Sequence, residues 1–180
     1  MKKEILITQD DSGRKIVVLP DVIFKNKRNI DWYAVEKYLH KYVGKIVTIA
    51  ETNDIIYIGS TFPDEYKGSK YTNRLKGANA KVKANAAQGI IEMLKIATEK
   101  RFRKNRKEKH SQNAENGWYY YTTHFALPIY ENDKKTDSYY LYSACLIINH
   151  SENGKLYLYD LVDIKREAST PLTISKLIPW

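Results

Sequence analysis

Three β-rich stretches in the C-terminal part of the chain constrain its fold more than any other feature. They cover residues 118–130, 138–149 and 155–164 and contain many tyrosine and β-branched residues, which favour strands. The short segments between them contain the Asn, Asp and Gly residues typical of turns. Because short connections join neighbouring strands that run in opposite directions, the sequence predicts a three-stranded antiparallel meander.

Two further hairpins are predicted in the N-terminal part. Residues 4–8 and 14–19 are β-prone runs on either side of a segment with Asp and Gly residues. Residues 45–50 and 55–58 repeat this arrangement around a second polar turn.

Apolar residues at three- and four-residue spacing predict two amphipathic helices. The first begins after a cap at Asn29 or Asp31 and ends near residue 43. The second covers residues 79–97 and begins with alanines that suit close packing on a sheet. Gly89 is expected to mark a bend in it, since glycine is less favourable than alanine inside a helix by about 1 kcal/mol.

Together these elements predict an α+β fold. We expect a curved antiparallel β-sheet, made of the C-terminal meander and the N-terminal hairpins, with two main helices packed on it. Residues 59–77 are expected to form mostly loop. A chain of 180 residues fits a single domain, to which we add a basic mobile insert near residues 100–117 and a loose tail at residues 168–180.

The chain carries a surplus of positive charge, with 30 Lys and Arg against 21 Asp and Glu and a net charge of +9. This surplus predicts a polyanion as partner. It is densest between residues 100 and 107, where Arg101, Arg103 and Lys104 suit contacts to phosphates and Phe102 suits stacking on a base. The alternative is a solvated helix end, where basic residues meet the negative end of the helix dipole.

Several classes of protein are not expected from this sequence. It has no apolar run long enough to span a bilayer and no secretory signal, so we expect a soluble protein of the cytoplasm with no membrane partner. Cys145 is the only cysteine, and neither a Cys/His cluster nor a nucleotide-binding motif occurs. The sequence therefore predicts no metal site and no cofactor.

Two histidines and one carboxylate stand out as candidates for chemistry. His124 lies inside a predicted strand and His150 begins a predicted turn, and turns beside a rigid sheet often carry functional side chains. Asp160 shares a strand face with apolar residues, where an ionised carboxylate needs a partner. The alternative for Asp160 is a structural hydrogen bond to a tyrosine or a backbone amide. With tight turns, pairing places His124 near Ala144 and Ala144 near Asp160.

The carboxylates do not cluster as they would in a two-metal nuclease. Metal-free cleavage of RNA needs a base at the ribose 2′-hydroxyl, an acid at the leaving oxygen and cations around the phosphorane. Histidine, lysine, arginine, tyrosine, serine and threonine can fill these roles, and the chain contains all of them.

Seven segments of the sequence resemble one protein family. They are LPDVIF (19–24), IDW (30–32), IYIGS (56–60), KVKANAAQGI (81–90), GWY (117–119), FALPIY (125–130) and GKLYLYD (154–160). Over about residues 19–172 the chain resembles the phage and mobile-element nuclease-like domains of the barnase, EndoU, colicin and RelE (BECR) superfamily. This resemblance implies an α+β fold with helices on a curved antiparallel sheet, and metal-independent RNA cleavage. Such domains occur alone or fused within phage polyproteins.

The resemblance also implies site residues, which we combine with the candidates above. His150, after the central strand, is the preferred acid or base. The predicted catalytic residues are His150, Lys165, Ser169, Thr170 and His124. The predicted nucleic-acid contacts, on a polar helix face and in the basic run, are Lys81, Lys83, Asn85, Gln88, Arg101, Phe102, Arg103 and Lys104.

The chain departs from the family pattern at several positions of the predicted site. Tyr120, Thr122 and His124 stand where relatives carry basic or acidic residues, and Cys145 and Asn149 stand where they carry arginines. Loss of one good cationic donor weakens transition-state stabilisation by about 3 kcal/mol.

Two functional hypotheses follow. The first is a metal-independent endoribonuclease of a phage or mobile element, acting on RNA as a toxin or effector does. The alternative is a catalytically degenerate phage protein that inhibits a host nucleic-acid machine, such as an anti-CRISPR or other anti-defence protein. The expected partner is RNA in the first case and a host ribonucleoprotein in the second, both in the host cytoplasm.

Overall fold

The chain folds into a curled mixed β-sheet with helices packed on it, an α+β architecture as the sequence predicts. The computed structural model describes residues 4–104, 116–167 and 171–173, and the backbone of 178–179. Its strands are β1 Leu6–Gln9, β2 Lys15–Val18, β3 Ile46–Thr48, β4 Ile55–Tyr57, β5 Thr98–Arg103, β6 Trp118–Glu131, β7 Lys134–His150, β8 Leu156–Arg166, β9 Leu172–Thr173 and β10 Ile178–Pro179.

The first predicted helix is present as predicted. The second is divided into two α-helices. The bounds of the helices are α1 Trp32–Leu39, α2 Phe62–Gly68, α3 Lys70–Arg74, α4 Gly77–Ala86 and α5 Ile90–Ile96. Asp31 caps α1, because its Oδ1 accepts a hydrogen bond from the Ala34 backbone N–H. A 3₁₀ turn at Ala87–Gly89 separates α4 from α5, so the α-helix is interrupted at the glycine where the sequence predicts a bend.

The prediction of a loop over residues 59–77 is wrong, since α2 and α3 lie within it. Both helices are too short to show several turns of apolar periodicity. Their anchors are local: Phe62 and Tyr66, one turn apart, are buried, and the Ser69 hydroxyl accepts a hydrogen bond from the Thr72 backbone N–H at 3.2 Å.

The predicted meander forms the centre of the sheet, where β6, β7 and β8 pair antiparallel in sequence order. Both N-terminal hairpins also form, β1 with β2 and β3 with β4. The sheet is nevertheless mixed, because β2 pairs parallel with β6 and β4 pairs parallel with β8. These two pairings join segments about 100 residues apart, so no local pattern in the sequence marks them.

The register within the meander differs from the predicted one. His124 lies opposite Ser143 and not Ala144, and Asp160 lies opposite Ile147. The β6–β7 turn is a tight two-residue turn at Asn132 and Asp133, both with positive φ, and irregularities in each pairing shift the register further. Pairings counted from sequence alone miss such shifts.

Gly89 is required by close packing. A Cβ atom there would lie 2.7 Å from Leu19 Cδ2 and 3.1 Å from Val17 Cγ1, and both of these side chains, in and just after β2, are fully buried. We therefore expect Gly89→Ala to destabilise the protein by about 1–3 kcal/mol through overpacking, although alanine is the better helix former. Urea unfolding would measure this change. Gly68→Ala is the matched control, since its Cβ would meet nothing within 4 Å. A Gly89→Ala variant as stable as the parent would contradict the packing argument.

Candidate nucleic-acid interface

The three central strands bring two predicted catalytic residues into one row. His124 on β6 lies opposite Ser143 on β7, and Ser143 lies opposite Lys165 on β8. Directly opposed residues point to the same face of a sheet. With strands about 4.8 Å apart, the backbone positions of His124 and Lys165 are separated by roughly 10 Å. The register therefore assembles a histidine, a hydroxyl and a lysine across one face.

A cavity of about 310 Å³ opens beside this row on the same side of β6 and β7. We call it the basic cleft. It is lined mainly by Arg101, Phe102, Arg103, Tyr120, Thr122, Ser143, Cys145, Asp163 and Lys165. Three cations and one carboxylate, Asp163, line the cleft, and a second carboxylate, Glu99, lies 3.6 Å from Arg101 Nη1. The charge balance of the cleft suits an anionic ligand.

Arg101 is held in a fixed position in the basic cleft. Its Nη1 donates to the Glu99 carbonyl at 2.7 Å and to the Thr122 hydroxyl at 3.1 Å. Arg103 places its guanidinium over the Tyr120 ring, 5.0 Å from the centroid. Both guanidiniums are therefore positioned before any ligand binds.

The basic run begins as a strand and not as a mobile insert or a helix end. Residues 98–103 form β5, which pairs with β6. Lys100 is neutralised, since its Nζ lies 2.8 Å from Asp54 Oδ2. Phe102 is 55% exposed and lies against Tyr119, with ring centroids 5.3 Å apart. Lys104 is exposed, and residues 105–115, with the rest of the basic run, lie outside the described residues.

His124 lies beside the basic cleft and is largely buried, with 11% of its side chain exposed. Its Nε2 is 3.1 Å from Glu167 Oε1 and 3.5 Å from Arg14 Nη1. Arg14 in turn forms ion pairs with Glu167 at 2.8 Å and with Asp10 at 3.0 Å. Since a carboxylate only accepts hydrogen bonds, the shorter contact assigns the proton to Nε2 and leaves the lone pair on Nδ1.

The charges around His124 favour the neutral imidazole. Burial and the Arg14 guanidinium lower the pKa of His124, and the Glu167 carboxylate only partly offsets them. The histidine also lines a second cavity of about 340 Å³, whose charged residues are Arg14, Lys15, Lys95 and Glu51. A neutral histidine between two basic cavities has the protonation state of a general base.

The predicted polar helix face is wrong for three of its four residues. Lys83 is fully buried, with Nζ 2.6 Å from both Asp160 Oδ1 and Thr72 Oγ1. The side-chain amide of Asn85 bonds the backbone of residues 23 and 24, and that of Gln88 donates to the Asp21 carbonyl at 2.9 Å. These groups hold the helix against the sheet and the preceding loop, so they do not reach a phosphate.

The buried carboxylate of Asp160 forms an ion pair with Lys83, which is the charged partner that its apolar strand face predicts. Burial lowers the pKa of Lys83 and raises that of Asp160, while their mutual attraction opposes both shifts. The Leu161 backbone N–H donates to the same carboxylate at 2.8 Å. Two residues that the sequence analysis treated separately thus form one ion pair in the core.

Lys81 lies partly exposed, unlike Lys83. Burial and the nearby Lys27 and Lys25 lower its pKa. Lys81 therefore lies in a group of lysines that is separate from the basic cleft.

His150 lies far from Lys165 and from the row that contains it. It pairs with Leu156, seven positions along β7 from Ser143, a separation of roughly 23 Å at 3.3 Å per residue. Its Nε2 is 3.2 Å from the Gly154 carbonyl, and its ring lies against Tyr119. It therefore cannot act on the same phosphate as Lys165. Ser169 and Thr170 lie outside the described residues.

Sequence reasoning missed the residues that surround His124. Arg14 follows the first turn of the chain and Glu167 follows the last long strand, more than 150 positions apart. Neither belongs to a recognisable motif. Only the pairing of β2 with β6 and of β8 with β7 brings them to the histidine.

Comparisons of the chain with models of protein families, with curated proteins and with solved structures find no match. Within the described ranges, no helix is long and apolar enough to cross a membrane. The same residues bring no group of three His, Cys, Asp or Glu side chains together in the way a metal site needs.

Proposed function

We propose that this chain binds RNA in the basic cleft and that the adjoining His124 cleaves the bound strand without a metal ion, as BECR-type nuclease domains do. The observation that supports it most is the row of His124, Ser143 and Lys165 beside the two fixed guanidiniums of the cleft.

The cleft combines the two features that single-stranded nucleic acid requires. Arg101, Arg103 and Lys165 supply cations for successive phosphates. Phe102 supplies an exposed ring on which a base can stack. A sheet face with aromatic and basic residues suits a single strand better than a duplex, because unstacked bases are accessible only in a single strand.

The proposed cleavage step uses groups of this chain alone. Nδ1 of His124 takes the proton of the ribose 2′-hydroxyl, and the 2′-oxygen attacks the adjacent phosphorus. The Arg101 guanidinium stabilises the charge on the phosphorane. As the bond from phosphorus to the 5′-oxygen breaks, this oxygen takes a proton from the Lys165 ammonium. The products are a 2′,3′-cyclic phosphate and a 5′-hydroxyl.

A second candidate function is binding without cleavage, as in an inhibitor of a host ribonucleoprotein. The burial of His124 favours this candidate, because a buried imidazole is less accessible to a bound RNA strand. The histidine also lies beside the cleft and not in its lining. Cys145 also lines the cleft at a position where the family resemblance implies an arginine, and burial raises the pKa of its thiol. The two candidates share the binding surface and differ only in turnover.

The binding surface can be tested by neutralising two of its cations. We expect Arg101→Gln combined with Lys165→Gln to weaken binding of a labelled single-stranded RNA by at least about tenfold at low salt. The slope of log K against log salt should fall by roughly 1.4, since each lost contact to a single strand contributes about 0.7. Fluorescence anisotropy across a salt series measures both quantities.

The matched control removes the same charge elsewhere. Lys37 on α1 and Lys70 on α3 are exposed and do not line the basic cleft. The Lys37→Gln, Lys70→Gln double variant should keep most of the affinity. Equal losses in the two double variants would show that net charge, and not the cleft, determines RNA binding.

A further inference from the structure

A third cavity, unrelated to the basic cleft, lies between the start of α2 and the β7–β8 turn. Its volume is about 660 Å³, within the range of small-molecule sites. The segment Gly59 to Thr61 forms one wall, and Ser151 and Asn153 belong to the turn on the opposite side. Along β7 the cavity is six residues from Ser143, which is roughly 20 Å.

The charge of this cavity is opposite to that of the chain as a whole. Glu65 and Glu152 line it, and its described lining contains no Lys, Arg or His, although the chain has a net charge of +9. Burial and the carboxylate of Glu65 raise the pKa of Tyr159, which hydrogen-bonds that carboxylate. The Glu65 carboxylate is therefore held at the cavity wall, where it can accept a further hydrogen bond from a ligand.

Asn149 adds an acceptor that has no partner. The residue is 8% exposed and lines the cavity, and among the described residues nothing donates to its Oδ1. A buried carbonyl oxygen without a donor is unfavourable unless a ligand or water supplies one. Three aromatic residues, Phe62, Tyr157 and Tyr159, also line the cavity.

We propose that this cavity binds a guanidinium group. The carboxylates accept hydrogen bonds from its paired N–H groups, Asn149 Oδ1 accepts another, and an aromatic ring covers its planar face. A guanidinium fits this set better than an ammonium ion, because it is planar and presents five donors in one plane. The group reaches the cavity as a small molecule or as an arginine side chain of a partner peptide. The inference is independent of RNA binding and cleavage.

The experiment is a calorimetric titration of the full chain with four probes. Agmatine and a capped Gly-Arg-Gly peptide carry the guanidinium, and arginine amide is compared with citrulline amide, its neutral urea analogue. We expect the guanidinium probes to bind with Kd near or below about 1 mM and citrulline amide to bind at least about tenfold more weakly. Tighter binding of agmatine indicates a small-molecule ligand, and tighter binding of the peptide indicates an arginine of a partner.

Two variants and one control locate the binding. Glu65→Gln should weaken the agmatine affinity at least about tenfold, whereas Glu131→Gln, the same change at the exposed last residue of β6, should leave it unchanged. Asn149→Leu should also weaken binding while its melting temperature stays level or rises, because an unpaired buried acceptor is removed. Absence of binding by agmatine and by the peptide up to about 10 mM would overturn the proposal. Equal affinity for arginine amide and citrulline amide would overturn it as well.

Discussion

Replacing Lys83 with methionine is expected to lower the free energy of unfolding by about 3–5 kcal/mol. The ammonium is fully buried and contacts both Asp160 and Thr72 at 2.6 Å, so its loss leaves a carboxylate without its counter-ion in the core. Urea unfolding followed by circular dichroism measures the effect.

Lys81→Met is the matched control for this prediction, because it removes a lysine two residues away on the same helix that is only partly buried. Lys81 lies near Lys27 and Lys25, so its removal relieves repulsion and should leave stability unchanged or slightly higher. The double variant Lys83→Met, Asp160→Leu should recover most of the lost stability, since an apolar pair replaces the whole ion pair. If Lys83→Met alone were as stable as the parent, the buried ion pair would not contribute to the stability of the core.

His124→Ala is expected to lower metal-independent cleavage of single-stranded RNA by about 10²–10⁴-fold, the contribution of a positioned acid or base. The assay uses end-labelled RNA in EDTA and identifies 2′,3′-cyclic phosphate ends. His150→Ala is the control, since His150 lies roughly 23 Å along β7 from the row that holds Lys165. A large loss in His150→Ala with none in His124→Ala would reverse the assignment.

The pH profile provides a separate test of the role of His124. Its pKa is lowered by burial and by Arg14, so the neutral, base-competent form persists below the usual histidine pKa of 6.5. If His124 is the base, kcat/KM stays level as the pH falls to 6.5 and decreases only below it.

Binding without any turnover by the parent protein would favour the inhibitor function, with RNA affinity still dependent on Arg101 and Lys165.

The local elements of this fold were largely predictable. The cap at Asp31, the break at Gly89 and the three strands of the meander each depend on residues close together in the sequence. The short helices α2 and α3 were not predictable, because α2 depends on a few buried side chains and α3 on the cap at Ser69, and neither is long enough to show a periodic pattern. The parallel pairings of β2 with β6 and β4 with β8 were also missed, since they depend on contacts across about 100 residues.

The candidate site was only partly predictable, and the two lysines of α4 show why. The spacing of Lys81 and Lys83 identified a charged helix but not how deeply each lysine is buried. Only Lys83 contacts the carboxylate of Asp160, which is 77 residues away in the sequence. Likewise, Arg101, Arg103 and Lys165 were all named from the sequence, but the pairing of β5, β6, β7 and β8 decides that they share a cleft.

The amino-acid sequence by itself determined the α+β class, the central meander and the surplus of positive charge, because propensity, periodicity and turn chemistry act over a few residues. The tertiary structure alone decided which cations are paired in the core and which face a cleft. It also decided that His124, and not His150, lies in the row with Lys165. The physical reason is that burial and ion pairing depend on strand register, and one residue of shift moves a side chain to the opposite face of the sheet.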